Sequence, residues 1–332
     1  MASKFVLVRV LNMRGVNLNV FDFDYDHEWA AVLLSADETI YGRFSGSRAD
    51  LNDKYLNLDG LRYAMAQALH SHGEAPKDKG KPPADLRRVE DYLAAKRLKL
   101  SACIHCHQAY DFRREQAEEA GQFRTEDIWV YPPPENVGLT LDPRQGNRVQ
   151  TVAADAPAGR AGLRLGDVLR TVNGLAVASF ADVQYALHRA PARGAIAVTW
   201  ERDGKAMMAM LELPPGWRRS DISWRASTKR IGPDPAVHGE DLTADEKKAL
   251  GLAAKRLALR QGNFVTTAAR QAGIRQNDII IGIGRQPLEM TAAQFLVHLR
   301  LNYQPGEQIT FTILREGRQF DLPLTLPRRS PY

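Results

Sequence analysis

One ten-residue pattern recurs in this chain. Residues 160–169 read Arg-Ala-Gly-Leu-Arg-Leu-Gly-Asp-Val-Leu, and residues 271–280 read Gln-Ala-Gly-Ile-Arg-Gln-Asn-Asp-Ile-Ile. The match continues with Tyr185-Ala186-Leu187-His188 against Phe295-Leu296-Val297-His298, and with Arg202-Asp203-Gly204-Lys205 against Arg315-Glu316-Gly317-Arg318. Near-constant spacing over such a distance means two copies of one domain, because a solenoid would repeat every ~20–50 residues. At 332 residues the chain is also too long for a single core.

Both copies predict the same element order. A short strand comes first, then a short helix that Gly162 or Gly273 ends in a left-handed conformation. Gly166 is replaced by Asn277, the other residue type that tolerates positive φ. A buried strand follows (Val168 to Val172; Ile279 to Ile283), then an amphipathic helix (Ala181 to Arg189; Ala292 to Leu301). A hairpin with Asp203-Gly204 or Glu316-Gly317 at its tip closes the unit. With the pattern Ala-Gly-Leu-x-x-Gly-Asp-x-x-x-x-x-Asn-Gly, residues 135–213 and 241–327 resemble PDZ domains of the bacterial, circularly permuted kind. That resemblance implies docking of polypeptide C-termini or extended peptides. Backbone amides of a hydrophobic-Gly-hydrophobic loop would hold the carboxylate, and the peptide would add as a strand. Val137-Gly138-Leu139 stands at that position in the first copy and Leu250-Gly251-Leu252 in the second. The competing reading is that these glycines only turn the chain.

Upstream, Phe5 to Val10 predicts a strand, Trp29 to Leu34 and Thr39 to Phe44 a hairpin, and Leu58 to His70 an amphipathic helix. Residues 1–72 thereby resemble the second half of a thioredoxin-like fold, without its Cys-x-x-Cys. Residues 73–83 read as a linker, 84–134 as a helical segment (helices at 84–98 and 108–119), and 214–240 as a packed linker. The fold class expected is α+β multidomain: a partial thioredoxin-like α/β domain, a short helical segment and two PDZ-like β-rich domains.

The chain has two cysteines, both within Cys103-Ile104-His105-Cys106-His107. Placed on a helical turn, Cys103 and Cys106 would share a face. Cys-x-x-Cys-His resembles the attachment motif of c-type cytochromes, which implies covalent haem c on Cys103 and Cys106 with His107 on the iron. Met65, His70, His72, Met207, Met208 and Met210 offer no evident sixth ligand, with Met65, Met208 and Met210 reading as core and His70 and His72 as solvent-exposed. Structural zinc and a redox dithiol are the competing readings. His188 and His298 occupy equivalent repeat positions, and no serine sits in a nucleophile elbow, so no hydrolase site is recognised and enzymatic activity is left open.

Haem c attachment implies export, yet Met1 to Lys4 is no signal sequence, so the start reads as truncated and the location as periplasmic or extracellular. A net charge of +6, interspersed with acids, does not point to nucleic acid, and no apolar run is long enough to span a bilayer. The combined expectation is a bacterial thioredoxin-family protein with tandem PDZ domains, which couples electron transfer or redox sensing by one haem to docking of partner polypeptides. A PDZ scaffold with a disulfide or metal clip, or a thiol-disulfide oxidoreductase, stands as the alternative.

Overall fold

A computed structural model describes residues 1–46, 53–74, 86–98 and 102–330. The glycine- and proline-rich 73–83 stretch lies almost wholly outside the described residues. The chain divides into two compact units, 1–220 and 221–332.

In the first unit, Phe5 to Val10 is irregular chain rather than a strand, with Val6, Leu7 and Val8 exposed. A strand needs a neighbour for its N–H and C=O groups, and β1 (Trp29–Leu34) and β2 (Ile40–Gly46) pair only with each other among the described residues. Against that hairpin packs α1 (Leu58–Glu74), burying Leu33, Phe44, Ala64, Met65 and Ala68 in one small core. The helix expected over 84–98 is broken: Tyr92 is extended (ψ 142°), leaving a 3₁₀ turn at Val89–Asp91 and one turn of helix, α2 (Leu93–Lys96). Its partner α3 (Gln108–Glu119) forms over the residues that the spacing predicts.

The rest of this unit is β-rich: β3 (Leu139–Leu141), β4 (Val149–Val152), α4 (Pro157–Arg160), β5 (Val168–Val172), β6 (Leu175–Ala176), α5 (Phe180–His188), β7 (Gly194–Arg202) and β8 (Lys205–Leu213). β3 and β4 form one antiparallel ribbon, and the other strands a sheet in the order β6-β5-β7-β8. Leu141, Leu169, Val183, Leu187, Val198 and Leu211 fill the space between sheets and helix. Met208 and Met210, expected in this core, lie on the outer face of β8 and are exposed.

The second unit repeats the order with one insertion. It comprises β9 (Gly239–Asp241), α6 (Ala244–Ala249), β10 (Leu259–Gln261), α7 (Thr267–Gln271), β11 (Ile279–Ile283), β12 (Gln286–Pro287), α8 (Ala292–Asn302), β13 (Gln308–Arg315) and β14 (Arg318–Thr325). Its strands run β14-β13-β11-β10-β9, with β12 on β11. α6 is the insertion, lying between the counterparts of β3 and β4. Both hairpin tips have two consecutive positive-φ residues (Asp203 51°, Gly204 72°; Glu316 49°, Gly317 75°), the turn that matches strand twist.

An ion pair is repeated along with the elements. Asp167 is buried and receives Nε and Nη2 of Arg202 (2.7 and 2.8 Å) and the Arg164 amide (2.8 Å); Arg202 also donates to the Gly162 carbonyl. Asp278, Arg315, Arg275 and Gly273 repeat the set. Replacing Asp167 by Ala is expected to destabilise the first unit by roughly 2–4 kcal/mol in urea unfolding, since it removes three hydrogen bonds to a buried acceptor. Asp167→Asn, which retains an acceptor, should cost less.

Candidate functional site

The first candidate groove lies between β3 and α5. A 3₁₀ turn, Pro134–Val137, ends at Gly138 in the left-handed region (φ 86°). A Cβ at Gly138 would collide with the Ala156 side chain, so the chain passes here only as glycine. Val137 and Leu139 are buried in the core; the loop therefore offers its backbone rather than its side chains. The Gly138 carbonyl accepts from Ala153, and Asp142 donates to the Arg148 carbonyl, so alternate residues of β3 face β4. By the alternation of an antiparallel ladder, the N–H and C=O groups of Leu139 and Leu141 face the other edge, where a strand would add.

That edge is not bare. The Tyr55 hydroxyl donates to the Leu141 carbonyl and accepts from the Leu141 amide, both at 3.1 Å. Its ring stacks on Phe180, the first residue of α5 (3.8 Å between centroids, 13°). β2 lies along the same helix: the Arg43 amide donates to Asp182 (2.8 Å), Ser179 Oγ donates to the Arg43 carbonyl, and the Arg43 guanidinium sits 3.6 Å from the centre of the Tyr185 ring. Burial pushes the Asp182 carboxyl up to about 6, against the pull of Arg43 and its hydrogen bonds. His188, at the end of the helix, stacks on Tyr131, and burial pushes its imidazole down to about 4, the setting of a packed histidine rather than a general base.

In the second unit the edge strand is β9. Leu242 donates to Ala258 and Gly262 to the His238 carbonyl, so Gly239 and Asp241 face outward as Leu139 and Leu141 do. Asp241 reaches across to accept the Ala292 amide at the start of α8 (2.8 Å). Leu250, Gly251 and Leu252 are elsewhere in this topology: they close α6, with Gly251 at φ 69° and Leu252 donating back to Lys247. Gln261 repeats the bonds of Val149 and pairs with Gly239 as Val149 pairs with Leu141, and Ala236 is left-handed (φ 62°) as Gly138 is, so Pro235-Ala236-Val237 corresponds to Val137-Gly138-Leu139. Sequence reading missed it because the inserted helix ends in a more conspicuous hydrophobic-Gly-hydrophobic run.

Cys103 precedes α3 as irregular chain, and His107 is the N-cap residue of that helix, so the two cysteines do not share a helical face. Both are free thiols. His107 Nδ1 is 3.7 Å from the buried Asp111 carboxylate, and the His105 and His107 rings lie nearly parallel, 6.1 Å apart. No group of three or more His, Cys, Asp or Glu able to hold a metal occurs among the described residues. A further polar row, which the sequence did not reveal, joins Ser45 Oγ to His27 Nδ1 (2.9 Å), with His27 Nε2 3.7 Å from Asp24. All three residues are buried.

A PDZ domain family model matches residues 148–202. A probable periplasmic serine protease do/HhoA-like from Haemophilus influenzae is 30% identical over 151 residues, 46% of this chain and 30% of that protein. The periplasmic serine endoprotease DegP of Salmonella typhimurium is 24% identical over 185 residues, covering 53% of this chain and 36% of its own. Among solved structures, an HtrA-type protease AlgWS227A with tripeptide aligns at 15% identity and a TM-score of 0.29, over 56% of this chain and 60% of that one. The chain spans about a third of the length of these two curated relatives.

The chain is thus a mixed α/β, β-rich protein containing a PDZ domain, a peptide-binding module type. The relatives are periplasmic, as the sequence led us to place this chain, and no helix among the described residues is long and apolar enough to cross a membrane. The haem c assignment to Cys103, Cys106 and His107 is overturned, and with it iron binding, electron transfer and the cytochrome resemblance. The matched relatives are serine proteases, whose chemistry needs no haem, and the cysteine segment lacks the shared helical face that the assignment required. The thioredoxin-family resemblance falls too. The same relatives contradict it, and among the described residues of 1–72 the only sheet is a two-stranded hairpin, packed against one α-helix.

Two outcomes test this description. Burial pushes the Cys106 thiol up while Cys103 is exposed, so iodoacetamide at neutral pH should label Cys103 faster by about tenfold, read by mass spectrometry of the peptides. For Asp182, the unfolded carboxyl ionises near 3.8 and the folded one near 6. Its contribution to stability therefore falls as pH rises through that window, by roughly 3 kcal/mol, and is level above it. The unfolding free energy of Asp182→Asn relative to the parent should rise from pH 4 to 7; a pH-independent difference would mean an ordinary carboxyl.

Proposed function

We propose that this chain is a periplasmic docking protein that holds extended peptides by strand addition. The observation that carries the reading is the outward-facing backbone of an edge strand beside a helix in each unit, β3 with α5 and β9 with α8. In this reading Val137, Gly138 and Leu139 present backbone amides to a peptide carboxylate, and residues 235–237, with Ala236 left-handed, form the matching loop of the second unit. The Leu250-Gly251-Leu252 turn shapes α6 behind that edge. Residues 135–213 and 241–327 are then tandem PDZ-like domains, the second beginning a few residues earlier, at the loop before β9.

A second reading is that docking feeds proteolysis, as the names of the relatives suggest. The Ser45–His27–Asp24 row favours it, and the burial of that row stands against it. Loss of casein cleavage in Ser45→Ala would support this reading; no cleavage by the parent chain would end it.

The primary test is an array of decapeptides with free C-terminal carboxylates, printed beside the same sequences amidated and probed with the full chain. A subset should bind saturably, and amidation should weaken it by about tenfold or more. No saturable binding by any sequence would overturn the proposal.

A further inference from the structure

The two edges differ in what already lies on them, and the difference concerns Tyr55. This residue comes from the 3₁₀ turn Asp53–Tyr55, outside the 135–213 domain, yet it belongs to that domain's core and is 2% exposed. Its single hydroxyl satisfies both the N–H and the C=O of Leu141, the pair that a docked strand would use. Its ring covers Phe180 at the mouth of α5. The segment is pinned on both sides. Asn57 Nδ2 donates to the Pro143 carbonyl (2.9 Å), just past the end of β3, and β2 grips α5 through Arg43, Ser179 and Asp182. As a result α5 is buried over most of its length, from Phe180 to Gln184 and again at Ala186 and Leu187. In the second unit, by contrast, α8 buries only Ala292, Phe295, Val297 and Leu299.

Building on the peptide-docking reading, we propose that Tyr55 is the resident occupant of the first groove. It fills the seat of an incoming residue, so the groove accepts a peptide only after the segment around Tyr55 leaves, and the seat selects an aromatic side chain. Hydrogen bonds to Leu141 and stacking on Phe180 are the two interactions that an entering peptide must replace. A tyrosine or phenylalanine in the peptide replaces the stacking, and the peptide backbone replaces the hydroxyl with a proper ladder pair. The second groove, at whose edge the described residues place no such side chain, is the one that binds without this step.

Two variants of the full chain test this. Tyr55→Phe keeps the ring and removes the hydroxyl; Tyr55→Ala removes both. Without peptide, exchange of the Leu141 amide followed by NMR should speed up about tenfold or more in Tyr55→Phe. Unchanged exchange would overturn the assignment of Tyr55 to the edge. On the decapeptide array, Tyr55→Ala should bind an additional set of peptides with Phe, Tyr or Trp at one fixed position. Affinity for that set should exceed the parent's by about thirtyfold or more, with ligand-induced shifts at the Leu139 and Leu141 amides. Equal affinities, with the same shifts already present in the parent, would show an open groove and sink the proposal. Binding by the parent through the second unit, with no gain in either variant, overturns the occupancy of Tyr55 and leaves docking intact. No binding by the parent or the variants overturns docking and this proposal together.

Discussion

A buried aspartate held by a forked arginine organises both repeats. Asp167 and Asp278 each tie the turn that follows a short helix to the hairpin that closes the domain, and each arginine also takes the carbonyl of the left-handed glycine in that turn. One guanidinium thus fixes a turn, a strand start and a hairpin base together. The geometry is planar and bidentate, which lysine could not reproduce. With those three points fixed, β5 and β11 are placed at the centre of their sheets, and the helices that follow can only return across them.

From that frame the edges follow. β3 and β9 are short, three residues each, and each has one partner strand on one side. Antiparallel pairing satisfies every second residue and leaves the rest facing away. A buried backbone group without a partner is costly, so an outward edge must be hydrated, added to or capped from within the chain. The first unit caps Leu141 with a tyrosine hydroxyl. In the second, Asp241 spends its carboxylate on the end of α8, leaving its backbone facing outward.

Much of the repeat was legible because its signals are local and strong. Gly162, Gly273 and Asn277 stand where positive φ was expected, and the strands Val168–Val172 and Ile279–Ile283 form with the expected bounds. Most of the failures needed a partner distant in sequence; the others turned on where a helix starts or is inserted. Phe5 to Val10 has the composition of a strand but pairs with no strand among the described residues. Met208 and Met210 alternate as core residues do, yet on the open face of a hairpin. The Cys103–Cys106 spacing suggested a helical turn, whereas the helix begins only after His107. The contact between Tyr55 and Leu141 crosses 86 residues, and no motif announces it. Leu250-Gly251-Leu252, read as a loop entering an edge strand, closes α6, a helix inserted where the first copy has a loop.

The anchors on either side of Tyr55 have a kinetic meaning. A side chain clamped by Arg43 on one flank and by Asn57 on the other does not leave by simple dissociation; it leaves when a stretch of chain comes loose at once. Such an event has a rate of its own, set by local unfolding and indifferent to what waits in solution. Raising the concentration of a partner past that limit gains nothing in speed. The first domain would then respond with a fixed lag, and the same chain would answer on two clocks: a prompt one at β9 and a delayed one at β3.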